Sequence, residues 1–171
     1  MAGANEDCLI EVSGGCIVLD AGGDAVDSNG NIRITGGELY AIGPASGADA
    51  ALDYEFEATV EGGIVLMVGP AGMAETFTDG TQPFALVQAS GAAGDLVEVV
   101  AADGTVATSF TAERAFQAVN ASAPGLANDS ACQLVVAGTA TSFTASTTPS
   151  ASRSAPGPAG PSPRTAQNSA S

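Results

Sequence analysis

Ile10-Glu11-Val12-Ser13-Gly14-Gly15-Cys16-Ile17-Val18-Leu19 returns twice along the chain, and that recurrence decides the fold. The second appearance is Ile32-Arg33-Ile34-Thr35-Gly36-Gly37-Glu38-Leu39-Tyr40-Ala41, and the third is Ala58-Thr59-Val60-Glu61-Gly62-Gly63-Ile64-Val65-Leu66-Met67. The glycine pairs lie 22 and 26 residues apart, the length of one solenoid coil. On both sides of each pair, apolar and polar residues alternate with the two-residue period of a strand. Ile10/Val12, Ile32/Ile34 and Ala58/Val60 point one way. Ile17/Leu19, Leu39/Ala41 and Val65/Met67 point inward from the strand that follows. The glycines between them turn a corner where a Cβ would clash or φ must be positive. A helix is excluded, since each interior glycine would cost about 1 kcal/mol.

Two further elements keep the same spacing. Ile42-Gly43-Pro44 and Val68-Gly69-Pro70 stand at one offset after their glycine pairs. Ala25-Val26-Asp27 and Ala51-Leu52-Asp53 both end nine residues before the next pair. The four extra residues of the longer coil therefore fall in the Ala45–Ala50 loop. Equal offsets in a solenoid stack directly, about 4.8 Å apart. Val26 and Leu52 are expected to stack inside, and Asp27 over Asp53 outside.

After Met73 the repeat stops. Residues 74–83 read as an irregular loop, and a meander of strands follows. Leu96–Val100 and Thr105–Phe110 flank Asp103-Gly104, a hairpin turn signal. Ala115–Asn120 and Cys132–Ala137 are further strands, separated by a loop containing Pro124 and Gly125. The division expected is 1–73 for the parallel coils, about three of them, 74–145 for the loop and an antiparallel cap, and 146–171 for a disordered tail rich in Pro, Ser and Ala. The first coil opens with nothing stacked before it, so further coils are expected ahead of residue 1.

Composition narrows the function. Against 19 acidic residues stand four arginines, with no Lys and no His, for a net charge of −15 over 171 residues. Such a field repels nucleic acid and anionic lipid and attracts cations. No apolar run is long enough to span a membrane, and the first residues lack the basic and apolar regions of a signal peptide. Aromatic residues are 5 % of the chain, which suits thin stacked layers built from small and β-branched side chains. Cys8, Cys16 and Cys132 fit no zinc spacing. They read as buried small apolar side chains, with a Cys8–Cys16 bridge as the alternative.

The run from Gly23 to Ile32, with Ile34-Thr35-Gly36-Gly37 after it, resembles the bacterial carbohydrate-binding β-helix proteins. Ala51-Leu52-Asp53-Tyr54, Gly62-Gly63 and Gly72-Met73 continue the resemblance in order, and Ala115–Val119 with Ser122-Ala123-Pro124 extends it more loosely. It covers roughly residues 10–137. The resemblance implies a right-handed parallel β-helix, similar in fold to pectate-type lyases. It also implies secretion to the cell exterior or cell surface, calcium binding, and binding of an acidic polysaccharide such as polygalacturonate, or of cellulose.

The residues themselves suggest where an ion would sit. Two aspartates about 5 Å apart repel by about 3 kcal/mol near a surface before screening. A hard cation with oxygen ligands removes that penalty. Asp24, Asp27 and Asn29 from one coil, Asp53 from the next and Asp49 from the inserted loop are the candidate calcium ligands. The plainer reading makes Gly23-Asp24 and Ser28-Asn29-Gly30 turns whose side chains bond to backbone. Tyr40, Tyr54 and Arg33 are candidate sugar contacts. Tyr40 is expected to point outward. A lyase would need a base, and Arg33, the sole basic residue of the coils, is hard to deprotonate. Asp27 and Asp53, one coil apart, stand too close for an inverting glycosidase pair. Binding rather than catalysis is therefore expected, with a structural spacer or surface adhesin as the alternative.

Overall fold

The glycine pairs are corners. In the computed structural model, which describes residues 3–149, β1 (Leu9–Asp20) and β3 (Asn31–Ile42) are twelve-residue strands, each interrupted in register at its glycine pair. The third coil breaks there into β5 (Ala58–Val60) and β6 (Ile64–Gly69). The second glycine of each pair takes a left-handed φ, +81° at Gly15, +84° at Gly37 and +86° at Gly63. Between the long strands lie two short ones, β2 (Val26–Ser28) and β4 (Leu52–Tyr54).

These strands stack in parallel with the spacing read from the repeat. Ile10 pairs with Ile32 and Ile32 with Ala58. Ile17 pairs with Leu39 and Leu39 with Val65. Val26 pairs with Leu52 and Asp27 with Asp53. The result is a right-handed, mostly parallel β-solenoid of about three coils. Its lumen is filled by Val12, Ile32, Ile34, Leu39, Ala41, Leu52, Val60, Val65 and Met67, all buried, and closed below by Phe77 and Phe84.

After the third coil the pairing turns from parallel to antiparallel. β7 (Asp79–Gly80) adds briefly to β5. β8 (Phe84–Gly91) and β11 (Phe116–Ser122) then extend the main sheet antiparallel beyond β6, in the order β6, β11, β8. A second sheet, with strands ordered β10 (Val106–Thr111), β9 (Leu96–Val100), β12 (Ser130–Val136) and β13 (Thr139–Ala145), is wholly antiparallel. It lies across the outer face of the first and shares a core with it: Ile42, Leu66 and Val68 pack with Val97, Val99, Phe116 and Leu134. β6 is buried on both faces, lumen and sandwich, and so reads as the unbroken apolar run Ile64-Val65-Leu66-Met67-Val68.

The cap therefore does two jobs. It terminates the solenoid sheet, as expected, and it also covers one flank of it. Arg114 ties the two parts: its guanidinium donates to the Ala21 carbonyl at 2.7 Å and pairs with Asp20 at 3.0 Å. The cysteines divide. Cys132 is buried, while Cys8 and Cys16 are exposed and unbridged, on or beside the edge strand β1. The buried reading thus holds for one of the three, because among the described residues no strand covers the outer side of β1. No helix of the described residues is long and apolar enough to cross a membrane. The tail expected from residue 146 falls mostly on residues 150–171, outside the described residues.

Candidate functional site

Alternation places the aspartates. In β2 and β4, Val26 and Leu52 enter the lumen, so Asp27 and Asp53 face away from it, paired in register. The turn before β2 brings Asp24 beside them. Its Oδ1 accepts a hydrogen bond from the Ala50 N–H of the next coil, at 2.5 Å. Asp49, in the inserted loop, reaches back over Gly23, whose added Cβ would stand 3.8 Å from Asp49 Oδ2. Asp24 and Asp27 therefore stand near enough for their charges to act on Asp53, and Asp49 lies beside Gly23 in the turn that carries Asp24.

Asn29 is different. It sits exposed in the turn after β2, and its carbonyl accepts the Asn5 N–H. Ser28 organises that turn, accepting from Gly30 N–H and donating to the Asn31 carbonyl at 3.1 Å each. The Ser28-Asn29-Gly30 segment is thus a side-chain-bonded turn.

Asp53 shows the electrostatic consequence of the stacking. Its carboxyl is held above the usual carboxylate range, first by partial burial and then by the charges of Asp24, Asp27 and Glu55. Glu75 is raised for the same reasons, by burial and then by Asp53 and Glu55. Glu55 and Glu75 thus belong to this acidic surface, although no repeat position singles them out. Glu55 follows Asp53 by two residues and so shares its face in principle. Glu75 arrives on the loop after Met73, which Tyr54 and Asn120 hold in place. The Tyr54 hydroxyl donates to the Thr76 carbonyl at 2.5 Å, and Asn120 Nδ2 donates to the Glu75 carbonyl at 2.6 Å.

Oxygen donors of the kind calcium takes are therefore grouped here. They do not form a finished cage: among the described residues, no three His, Cys, Asp or Glu side chains stand close enough to hold a metal ion. An ion at this place needs further oxygens from water or from a bound ligand.

Of the candidate sugar contacts, Tyr54 borders this surface, while Tyr40 and Arg33 engage partners elsewhere. Tyr40 points out of the lumen, as alternation requires, but its ring lies on Phe110 of the second sheet, 6.0 Å between centroids and 28° between planes. Its hydroxyl lies 3.3 Å from Glu38 and 3.4 Å from Thr108. Tyr54 is half-buried against the lumen core, and burial first, then the charges of Glu75 and Asp53, push its phenol up to about 12. Arg33 lies on the outer side of β3 and grips Glu61 of the next coil with two hydrogen bonds, 2.9 and 3.1 Å. That pair keeps the guanidinium charged, its pKa raised chiefly by the Glu61 hydrogen bond.

No protein-family model, curated protein or solved structure matches the chain. What stands beyond the sequence motifs is the architecture: a three-coil β-solenoid with an antiparallel cap and an acidic face on β2 and β4.

Proposed function

We propose that the chain is a non-catalytic, secreted binding module for an acidic polysaccharide, with calcium as the bridge. One observation carries this reading: Asp27 stands over Asp53 in register, where partial burial and then the neighbouring carboxylates make the charge on Asp53 unfavourable. A divalent cation relieves that repulsion. Its unfilled coordination positions suit the carboxylates of a polymer such as polygalacturonate, which a protein of charge −15 would otherwise repel. Arg33 does not suit the role of a lyase base, since its pairing with Glu61 keeps it protonated.

Affinity electrophoresis in polygalacturonate gels tests this. Retardation is expected with calcium and lost with chelator. The double variant Asp27→Asn/Asp53→Asn is expected to migrate unretarded in both conditions. Migration of the folded wild type that ignores both polymer and calcium would sink the proposal. A structural spacer is the second reading, favoured by the lack of a three-carboxylate cage among the described residues. A spacer would keep its attachment role in the double variant.

A further inference from the structure

Among the described residues, the solenoid has one open end. β1 pairs there with β3 on one side only, so the other edge of a twelve-residue strand offers N–H and C=O groups that no described strand pairs. Leu9 is 54 % and Val18 68 % exposed. Ile10, Ile17 and Leu19 face the lumen but are only partly covered.

The corner glycines add a second, independent observation. A Cβ at Gly36 would meet the Ser13 carbonyl oxygen at 2.8 Å, and one at Gly62 the Thr35 oxygen at 2.7 Å. The preceding coil therefore requires glycine at each of these positions. Gly14 is the equivalent position of the first coil. Nothing lies within 4 Å of where its Cβ would stand, and its φ is not positive. Among the described residues, no neighbour requires a glycine at Gly14. The requirement arises if another backbone layer crosses it.

We propose that a second copy of this chain supplies that layer, with the two β1 strands antiparallel about a two-fold axis through the Gly14–Gly15 corner. A rotation preserves the right-handed coil. Head-to-tail stacking is unsuited, because β11 and β8 run antiparallel beyond the third coil, which leaves the like-to-like contact of a closed dimer. The register serves every position. Gly14 falls opposite Gly15 of the second copy, Val12 opposite Ile17, and Ile10 opposite Leu19, so lumen meets lumen. Glu11 falls opposite Val18 and Leu9 opposite Asp20, so no two acidic side chains face directly across the strand pair.

Sedimentation equilibrium of the full chain at tens of micromolar, in reductant and at roughly physiological salt, tests the pairing. The expected mass is twice 16.5 kDa. Gly14→Val fits the open space of the monomer and suits a strand, so it should keep the far-ultraviolet circular dichroism and sediment as a monomer. Val18→Glu, set against Glu11, should also dissociate the dimer, whereas Val18→Lys should retain it. A monomeric wild type overturns the proposal and leaves the edge to another polypeptide layer. A dimer that survives Gly14→Val, or equal behaviour of the two Val18 variants, overturns it as well.

Discussion

At the scale of single residues, Asp53 is the informative group. Its carboxyl and that of Glu75 hold protons more readily in the folded chain than the ordinary values of these groups. The folded state then binds more protons than the unfolded one, so their contribution to stability is full below the ordinary carboxylate range and is lost as pH rises through their folded values. Glu61, lowered chiefly by the Arg33 hydrogen bond, and Asp103, lowered by the Thr105 N–H, act in the opposite sense. Their contribution is present above the ordinary range and lost as pH falls through their folded values, and solvent screening at these exposed positions keeps it small. Asp53→Asn removes one charge from the acidic face. In chelator it is expected to raise the melting temperature at neutral pH and to flatten its decline between about pH 4 and pH 7. Thermal melts across that range check it, and a lower melting temperature at neutral pH would count against the repulsion.

At the scale of elements, the corner is the unit that builds the solenoid. Gly37 has φ +84°, and a Cβ there would meet the Gly14 carbonyl carbon at 2.7 Å. Gly37→Ala therefore combines a left-handed alanine with a backbone clash, and about 2–4 kcal/mol of destabilisation is expected in urea unfolding. A loss under about 0.5 kcal/mol, the range of an ordinary surface change, would show that the coils do not press together there. These corners were legible in the sequence because a solenoid repeats its constraints: glycine pairs, lumen residues and the Asp27–Asp53 register all recur at fixed offsets. Strands outside the repeat were less legible. Phe84–Gly91 is apolar at Phe84-Ala85-Leu86-Val87, since it lies between two packed faces, so alternation does not mark it. Thr139–Ala145 is small and largely polar apart from Phe143, and it is a strand through its pairing with β12. The site was legible in the same proportion. Asp24, Asp27, Asp49 and Asp53 came from the repeat and its insertion, whereas Glu75 joins them through a loop fixed by Tyr54 and Asn120. Tyr40 shows the limit of alternation, which gave its direction but not the second sheet waiting on that side.

At the scale of the whole molecule, a net charge of −15 with four arginines sets the terms. Arg33 and Arg114 are spent on internal pairs with Glu61 and Asp20. Among the described residues, the acidic face on β2 and β4 therefore has no ion pair to neutralise it, and the external cation of the proposed function would supply that counter-charge. The most direct measurement is the melting temperature of wild type and of Asp27→Asn/Asp53→Asn, each in millimolar calcium chloride and in sodium chloride of equal ionic strength. Calcium should raise the wild-type value by several degrees beyond the sodium control and leave the double variant at its control value. Equal calcium shifts in both proteins, or none in either, would contradict a cation site on the stacked aspartates.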